Sequence, residues 1–179
     1  MIKIKKQNCT NNIIGNDCQN ILRQVNLEKV KSKKILITGA NGFLGQYLVS
    51  TLSFANHKME LGNTIHAVSL NTPNPIIASF LRQYKNIKYS RVNLTKPFHL
   101  SGYDYIFHTA GYSQPAKFIE DYNSTIAINI DATRQLLNAS PKATFVFFSS
   151  AEIYGDIPAK LIPVSENFNG NCPLLLPRS

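Results

Sequence analysis

From residue 35 to residue 149 the chain alternates short, uniformly apolar runs with longer segments whose apolar residues recur every three or four positions. A run with no polar alternation is the pattern of a strand covered on both faces, and the longer spacing is that of a helix with one buried side. Residues 35 to 38, 64 to 70, 86 to 92, 103 to 109 and 144 to 149 read as five strands. Gly42 to Phe54, residues 76 to 85 and Ser124 to Ala139 read as the helices between them. The last helix puts Ile126, Ile130, Leu136 and Leu137 on its buried side and stops before Pro141. Asn71-Thr72-Pro73-Asn74-Pro75 ends the second strand, because proline cannot donate to a central ladder. Strands alternating with helices predict right-handed crossovers and an α/β, doubly wound parallel sheet of the Rossmann type, covered on both faces.

The junction between the first strand and its helix carries the clearest chemistry. Residues 35 to 45 read Ile-Leu-Ile-Thr-Gly-Ala-Asn-Gly-Phe-Leu-Gly. A strand that passes through a glycine turn straight into a helix is an anion cradle, because the helix start leaves N–H groups without partners. Gly39 takes up the turn, Gly42 lets a pyrophosphate reach the main chain, and Gly45 lets the helix lie close on the strand. Phe43 and Leu44 follow Gly42 at the helix start, whose unpaired N–H groups face the anion. Ligands of open parallel sheets sit outside the carboxyl ends of the strands. Ser69-Leu70-Asn71, Asn93-Leu94, Thr109 to Ser113 and Ser149 to Tyr154 therefore belong with the glycine turn in one nucleotide site.

Composition adds little to this and removes some alternatives. A chain of 179 residues, 44% hydrophobic and 16% charged, suits one globular domain. No apolar stretch is long enough for a membrane span or a secretory signal, so a cytoplasmic location is expected. Cys9, Cys18 and Cys172 form neither a disulfide framework nor a zinc motif, so free thiols and no metal are expected. The net charge of +9 is concentrated at the start, with eight basic against two acidic residues in the first 34 and eleven against eight in the remaining 145. That distribution suggests a solvated basic extension and no nucleic-acid partner. Within it, Ile21, Leu22, Val25 and Leu27 have near-helical spacing, which suggests a short helix over residues 18 to 30 outside the core.

The spacing Thr38-Gly39-x-x-Gly42-x-x-Gly45, with Asn41 before the second glycine, resembles the short-chain dehydrogenase/reductase superfamily, in particular its extended branch that acts on nucleotide sugars. His108-Thr109-Ala110-Gly111 is similar to that branch's His-x-Ala-Gly signature, which implies cofactor contacts by Thr109, Ala110, Gly111, Tyr112 and Ser113. His108 itself reads as a packed strand-end histidine. Asn129-Ile-Asp-Ala-Thr-Arg-Gln-Leu-Leu resembles the family's Asn-x-x-Gly-Thr-x-x-Leu-Leu helix, which implies a structural hydrogen bond from Asn129 and a cofactor contact by Ile128. Ser149-Ser150-Ala151-Glu152-Ile153-Tyr154-Gly155 resembles the segment after the fifth strand, where Ser150 would donate to the sugar's reacting oxygen. Glu152 stands where dehydratases and decarboxylases of nucleotide sugars carry the glutamate that, in the dehydratases, takes the C5 proton.

The resemblance thus implies the NAD-binding portion of an NAD-dependent epimerase/dehydratase family member, a lyase or isomerase of nucleotide sugars, homodimeric in its full-length relatives. An acid at the end of the second strand favours NAD and a nearby arginine favours NADP. Ser69-Leu70-Asn71 matches neither, and Asn93 replaces an aspartate near the adenine, so NAD rests on the subfamily resemblance and NADP stays open. The superfamily's base is the tyrosine of a Tyr-x-x-x-Lys pair. Tyr84 and Lys88 have that spacing but lie on the crossover between the second and third strands, where the pair is a coincidence. Gly170-Asn171 and Pro177-Arg178-Ser179 resemble the stretch that precedes the motif in relatives, so the chain is expected to be truncated just before its catalytic tyrosine. The expected organisation is a basic extension over residues 1–32, a Rossmann NAD(P)-binding domain over 33–155 and an irregular tail over 156–179. A non-catalytic dinucleotide-binding or regulatory module is the alternative.

Overall fold

Ile35, Leu36 and Ile37 have no accessible surface, because β1 (Lys34–Thr38) is the middle strand of the sheet and helices cover both its faces. The computed structural model describes residues 9–171. Around β1 stand β2 (Thr64–Ser69), β3 (Ile87–Arg91), β4 (Tyr105–His108) and β5 (Thr144–Phe147), all parallel, in the order 3-2-1-4-5. Ile35 pairs with Ile65 on one side and Tyr105 on the other, and Thr38 pairs with Val68 and His108. This is the doubly wound sheet that the sequence pattern predicts. Winding reverses between β1 and β4, which opens a crevice at their carboxyl ends.

Alternate side chains of the strands enter different cores. Ile35, Ile37, Ile65, Ala67 and Ile87 meet α2 (Phe43–Met59) and α3 (Pro75–Gln83) through Val49, Leu52, Ile77 and Phe80. Leu36, Val68 and Ile106 face Leu94, Leu100, Ala132 and Leu136. The second and third strands and α3 lie within two residues of their expected bounds. Asn74 explains the sharp start of α3, since its side-chain oxygen accepts from the N–H of Ile77 and Pro75 follows at the first helical position.

The basic extension differs from its expected form. Its helix, α1 (Cys9–Leu22), starts upstream of the expected 18–30, and Val25 is exposed. A separate one-turn 3-10 helix holds Glu28–Val30, where the Asn26 side chain accepts from the Glu28 N–H and ends the regular periodicity. α1 packs on α2 and sends Ile14 and Cys18 into the main core rather than lying outside it. Cys18 is a free buried thiol, 3.6 Å from the Thr51 hydroxyl, and burial pushes its pKa up. Residues 1–8, with Lys3, Lys5 and Lys6 of the expected basic extension, lie outside the described residues, as do Cys172, Leu174 to Leu176 and Pro177-Arg178-Ser179. The side chain of Cys9 is likewise not described.

The helix before β5 is broken into pieces: α4 (Pro115–Glu120), α5 (Tyr122–Ile126), a π-helical stretch over Ala127–Ala132 and α6 (Thr133–Ala139). Two of its expected core residues, Ile130 and Leu137, are 59% and 44% exposed. The physical cause is the π stretch. Its wider ladder inserts one residue relative to an α-helix and rotates the following turn, so Ala132 and Leu136 face the sheet. Leu136→Ala is expected to lower unfolding free energy by about 2–5 kcal/mol, and Leu137→Ala by under about 1 kcal/mol, in urea titrations. Equal costs at the two positions would contradict this phase.

The chain divides into two compact units, one through Phe147 and a second from Phe148 onward. The segment after β5 belongs with the tail because the Asn171 N–H donates to the Tyr154 carbonyl at 2.8 Å and Tyr154 lies against Phe168, with ring centroids 6.2 Å apart. Among the described residues no helix is long and apolar enough to cross a membrane, and no cluster of side chains is placed to hold a metal ion.

Candidate functional site

A cleft of about 440 Å³ lies at the carboxyl ends of the strands in the first unit. Gly39 and Gly42 form part of its lining, with Ser69 after β2, Asn93 and Leu94 after β3, and Thr109, Ala110, Gly111 and Tyr112 after β4; Ile128 comes from the π stretch. The glycines are required by contact. Gly39 has φ +67°, and a Cβ there would stand 2.6 Å from the Ala110 nitrogen and 2.7 Å from the Thr109 carbonyl oxygen. A Cβ on Gly45 would overlap the Gly39 carbonyl oxygen and stand 2.8 Å from the Ala40 Cα. Gly42 is the N-cap of α2, with extended backbone and no capping side chain. The first intrahelical bond runs from the Gln46 N–H to the Gly42 carbonyl. Phe43, Leu44 and Gly45 thus contribute N–H groups at the positive end of a 17-residue helix.

Asn41, Phe43, Leu44, Gly45, Asn71 and Ser113, all read from the sequence as part of the site, do not line the cleft. The side chains of Phe43 and Leu44 are 73% and 49% exposed, which leaves their main chain as the part available to a ligand. Asn41 works on the protein itself: its amide donates to the Thr72 carbonyl at 2.8 Å, and its side-chain oxygen accepts from the Asn74 N–H at 3.0 Å. It pins the loop after β2 to the glycine turn. Asn93 is also turned locally, accepting from the N–H and hydroxyl of Thr95.

His108 is buried, as a packed strand-end histidine should be, and its bonds define its tautomer. Its Nε2 lies 3.1 Å from the Ile128 carbonyl and must donate, so Nδ1 accepts from the Thr38 hydroxyl at 2.8 Å. The Thr38 oxygen in turn receives the Ala110 N–H. This chain ties β1, β4 and the π stretch together beneath the cleft. Asn129 donates to the Thr125 carbonyl within that stretch, a structural bond. Burial holds His108 below its ordinary pKa of 6.5, and burial with nearby Lys88 does the same to His66. A histidine whose folded pKa is depressed stabilises the fold above its unfolded pKa, and that contribution disappears as pH falls. The urea midpoint is therefore expected to drop between pH 7.5 and pH 5, and to drop less in His108→Gln. An identical fall in the variant would sink this assignment.

Sequence reasoning missed Val92, Thr95, Asp121 and Ser124 in the cleft lining. Asp121 caps α5, accepting from the Ser124 N–H, and receives the Tyr112 hydroxyl at 2.9 Å. These bonds hold its carboxyl below the usual range and push the Tyr112 phenol up. The signal was present, since Asp is a favoured N-cap residue and Asp121 stands just before a helical run.

The second unit carries Ser150 and Glu152. Ser150 caps a one-turn 3-10 helix, Ala151–Tyr154, and its oxygen accepts from the Glu152 N–H at 3.2 Å, which leaves the hydroxyl proton free to be donated. Both residues are exposed. Tyr84, of the coincidental Tyr-x-x-x-Lys pair, caps α3, stacks on Phe80 and is 8% exposed, whereas Lys88 lies on β3.

A family model, the NAD dependent epimerase/dehydratase family, matches residues 35–177. UDP-glucuronic acid decarboxylase 1 of Xenopus tropicalis is 24% identical over 86% of this chain, and a UDP-glucose 4-epimerase of Haemophilus influenzae is 28% identical over 74% of it. The chain spans 35% and 40% of the length of those two relatives. In three dimensions it is similar to a UDP-glucose-4-epimerase from Stenotrophomonas maltophila solved with bound NAD, with TM-score 0.59, 18% identity and coverage of 78% of this chain and 43% of that one.

Proposed function

Since the chain belongs to the NAD-dependent epimerase/dehydratase family, we propose that it is the dinucleotide-binding portion of a nucleotide-sugar epimerase, dehydratase or decarboxylase. The observation that carries this is the glycine cradle: main chain packs so tightly around Gly39 and Gly45 that no Cβ fits, while the uncapped start of α2 offers N–H groups to an anion. The cleft beside it is lined by small residues after β4, against which a ribose and a pyrophosphate can lie. The residues therefore fit a nicotinamide dinucleotide, and resemblance alone favours NAD. When bound, it supplies a hydride acceptor for the sugar's C4. Ser150 would donate a hydrogen bond to the C4 oxygen, and Glu152 would carry the C5 proton.

A second reading, a non-catalytic dinucleotide-binding or regulatory module, is favoured by one observation. The Tyr-x-x-x-Lys pair that these residues carry, Tyr84 and Lys88, lies at the end of the crossover between β2 and β3, and Tyr84 is packed away in the core. Both readings require dinucleotide binding, and calorimetric titration with NAD and NADP tests it. Saturable binding at one site is expected, together with no detectable turnover of UDP-sugars by this chain alone. Binding of neither dinucleotide would overturn both readings, and UDP-sugar turnover would overturn the non-catalytic one.

A further inference from the structure

Resting on that dinucleotide reading, we infer that the adenosine end of the cleft is built for a 2′-phosphorylated cofactor, NADP, with Arg91 as the residue that holds the extra phosphate. A ribose with free 2′ and 3′ hydroxyls calls for a carboxylate at the end of β2, which accepts from both. Here β2 ends in Ser69, and the chain runs on through Leu70, Asn71 and Thr72 with no acid before α3. Asp121 is the one carboxylate of the cleft lining, and it sits on α5, beyond β4, already accepting from Tyr112 and Ser124.

A cation stands where the acid is missing. Arg91 is the last residue of β3 and lies directly opposite Ser69 in the parallel register. Its Nε donates to the Leu70 carbonyl at 3.4 Å, which holds the guanidinium at the carboxyl edge beside two residues of the cleft lining. The ends of β2 and β3 are tied together on this side, because the Val92 N–H donates to the Ser69 carbonyl and the Tyr89 hydroxyl donates to the Asn71 carbonyl at 2.6 Å. Arg91 makes no ion pair among the described residues, so its terminal N–H groups have no carboxylate to satisfy them. A guanidinium at the end of the strand that pairs with Ser69 suits a dianionic phosphate, which it can grip through two parallel bonds. A bare 2′-hydroxyl offers that cation nothing comparable. The charge balance at this edge thus opposes the NAD that resemblance favours.

Titration of the full chain with NAD and NADP at low ionic strength tests the assignment. NADP is expected to bind about tenfold more tightly, an advantage that shrinks with added salt because Arg91 is exposed. Arg91→Ala should remove the advantage by weakening NADP alone, and Ser69→Asp should invert it. The fold tolerates the first change, since the side chain is on the surface. Wild-type chain that binds NAD as tightly as NADP, or an NADP preference that survives Arg91→Ala, would overturn the assignment while leaving the dinucleotide reading intact. Binding of neither dinucleotide would remove both.

Discussion

Replacing Gly45 with alanine is expected to lower the unfolding free energy of the first unit by about 3 kcal/mol or more, a large share of the stability of an ordinary domain. A methyl group at this position has nowhere to go. It would overlap the Gly39 carbonyl oxygen and press on the Ala40 backbone, and neither can swing aside as a side chain end can. The central strand β1 is held on both sides by paired strands, so relief must come from pushing α2 off the sheet, which opens the core around Val49 and Leu52. Gly15→Ala provides the opposite sign. Gly15 lies within α1, a Cβ there meets nothing within 4 Å, and alanine should stabilise the helix by about 0.5–1 kcal/mol. Urea denaturation of the two variants beside the parent checks both, and a Gly45→Ala protein as stable as the parent would refute the close-packing role.

How much of this was legible beforehand depended on whether the local pattern matched the tertiary context. The parallel sheet and the glycine turn were readable because β1 is apolar on both faces and Gly39, Gly42 and Gly45 each meet a separate steric demand. The phase of the helix before β5 was not. Ile130 and Leu137 fit an uninterrupted 3.6-residue period with Ile126, but the π stretch at Ala127–Ala132 breaks that period with no proline or glycine to announce it. Asn41 belongs to the turn read as the anion cradle, and the structure ties its side chain to the loop after β2, a partner 31 residues away that spacing does not reveal. The role of Arg91 was hidden for a related reason. Its neighbour Ser69 lies on an adjacent strand, and only the register brings them face to face.

Gly42→Asp is expected to abolish dinucleotide binding while leaving the fold intact, and the two effects separate cleanly. The backbone at Gly42 has φ −71° and ψ 167°, open to any residue, and an added Cβ would stand 3.1 Å from the Gly39 oxygen, tight but short of overlap. Aspartate is also a favoured N-cap, so α2 should start at least as well as before. What changes is the cradle: a carboxylate enters beside the pyrophosphate and competes for the N–H groups of the first turn. At a separation of about 4 Å, like charges near a protein surface repel strongly enough to cost well over ~100-fold in affinity. Gly42→Ala, which adds bulk without charge, should lose far less.

The most direct test of the account is calorimetric titration of the parent chain and of Gly42→Asp with NAD and NADP, alongside a urea denaturation of each. One saturable site in the parent, lost in a variant of undiminished stability, is the predicted result. Dinucleotide binding by Gly42→Asp as tight as by the parent would contradict the claim that the turn from Gly39 to Gly45 is where the pyrophosphate sits.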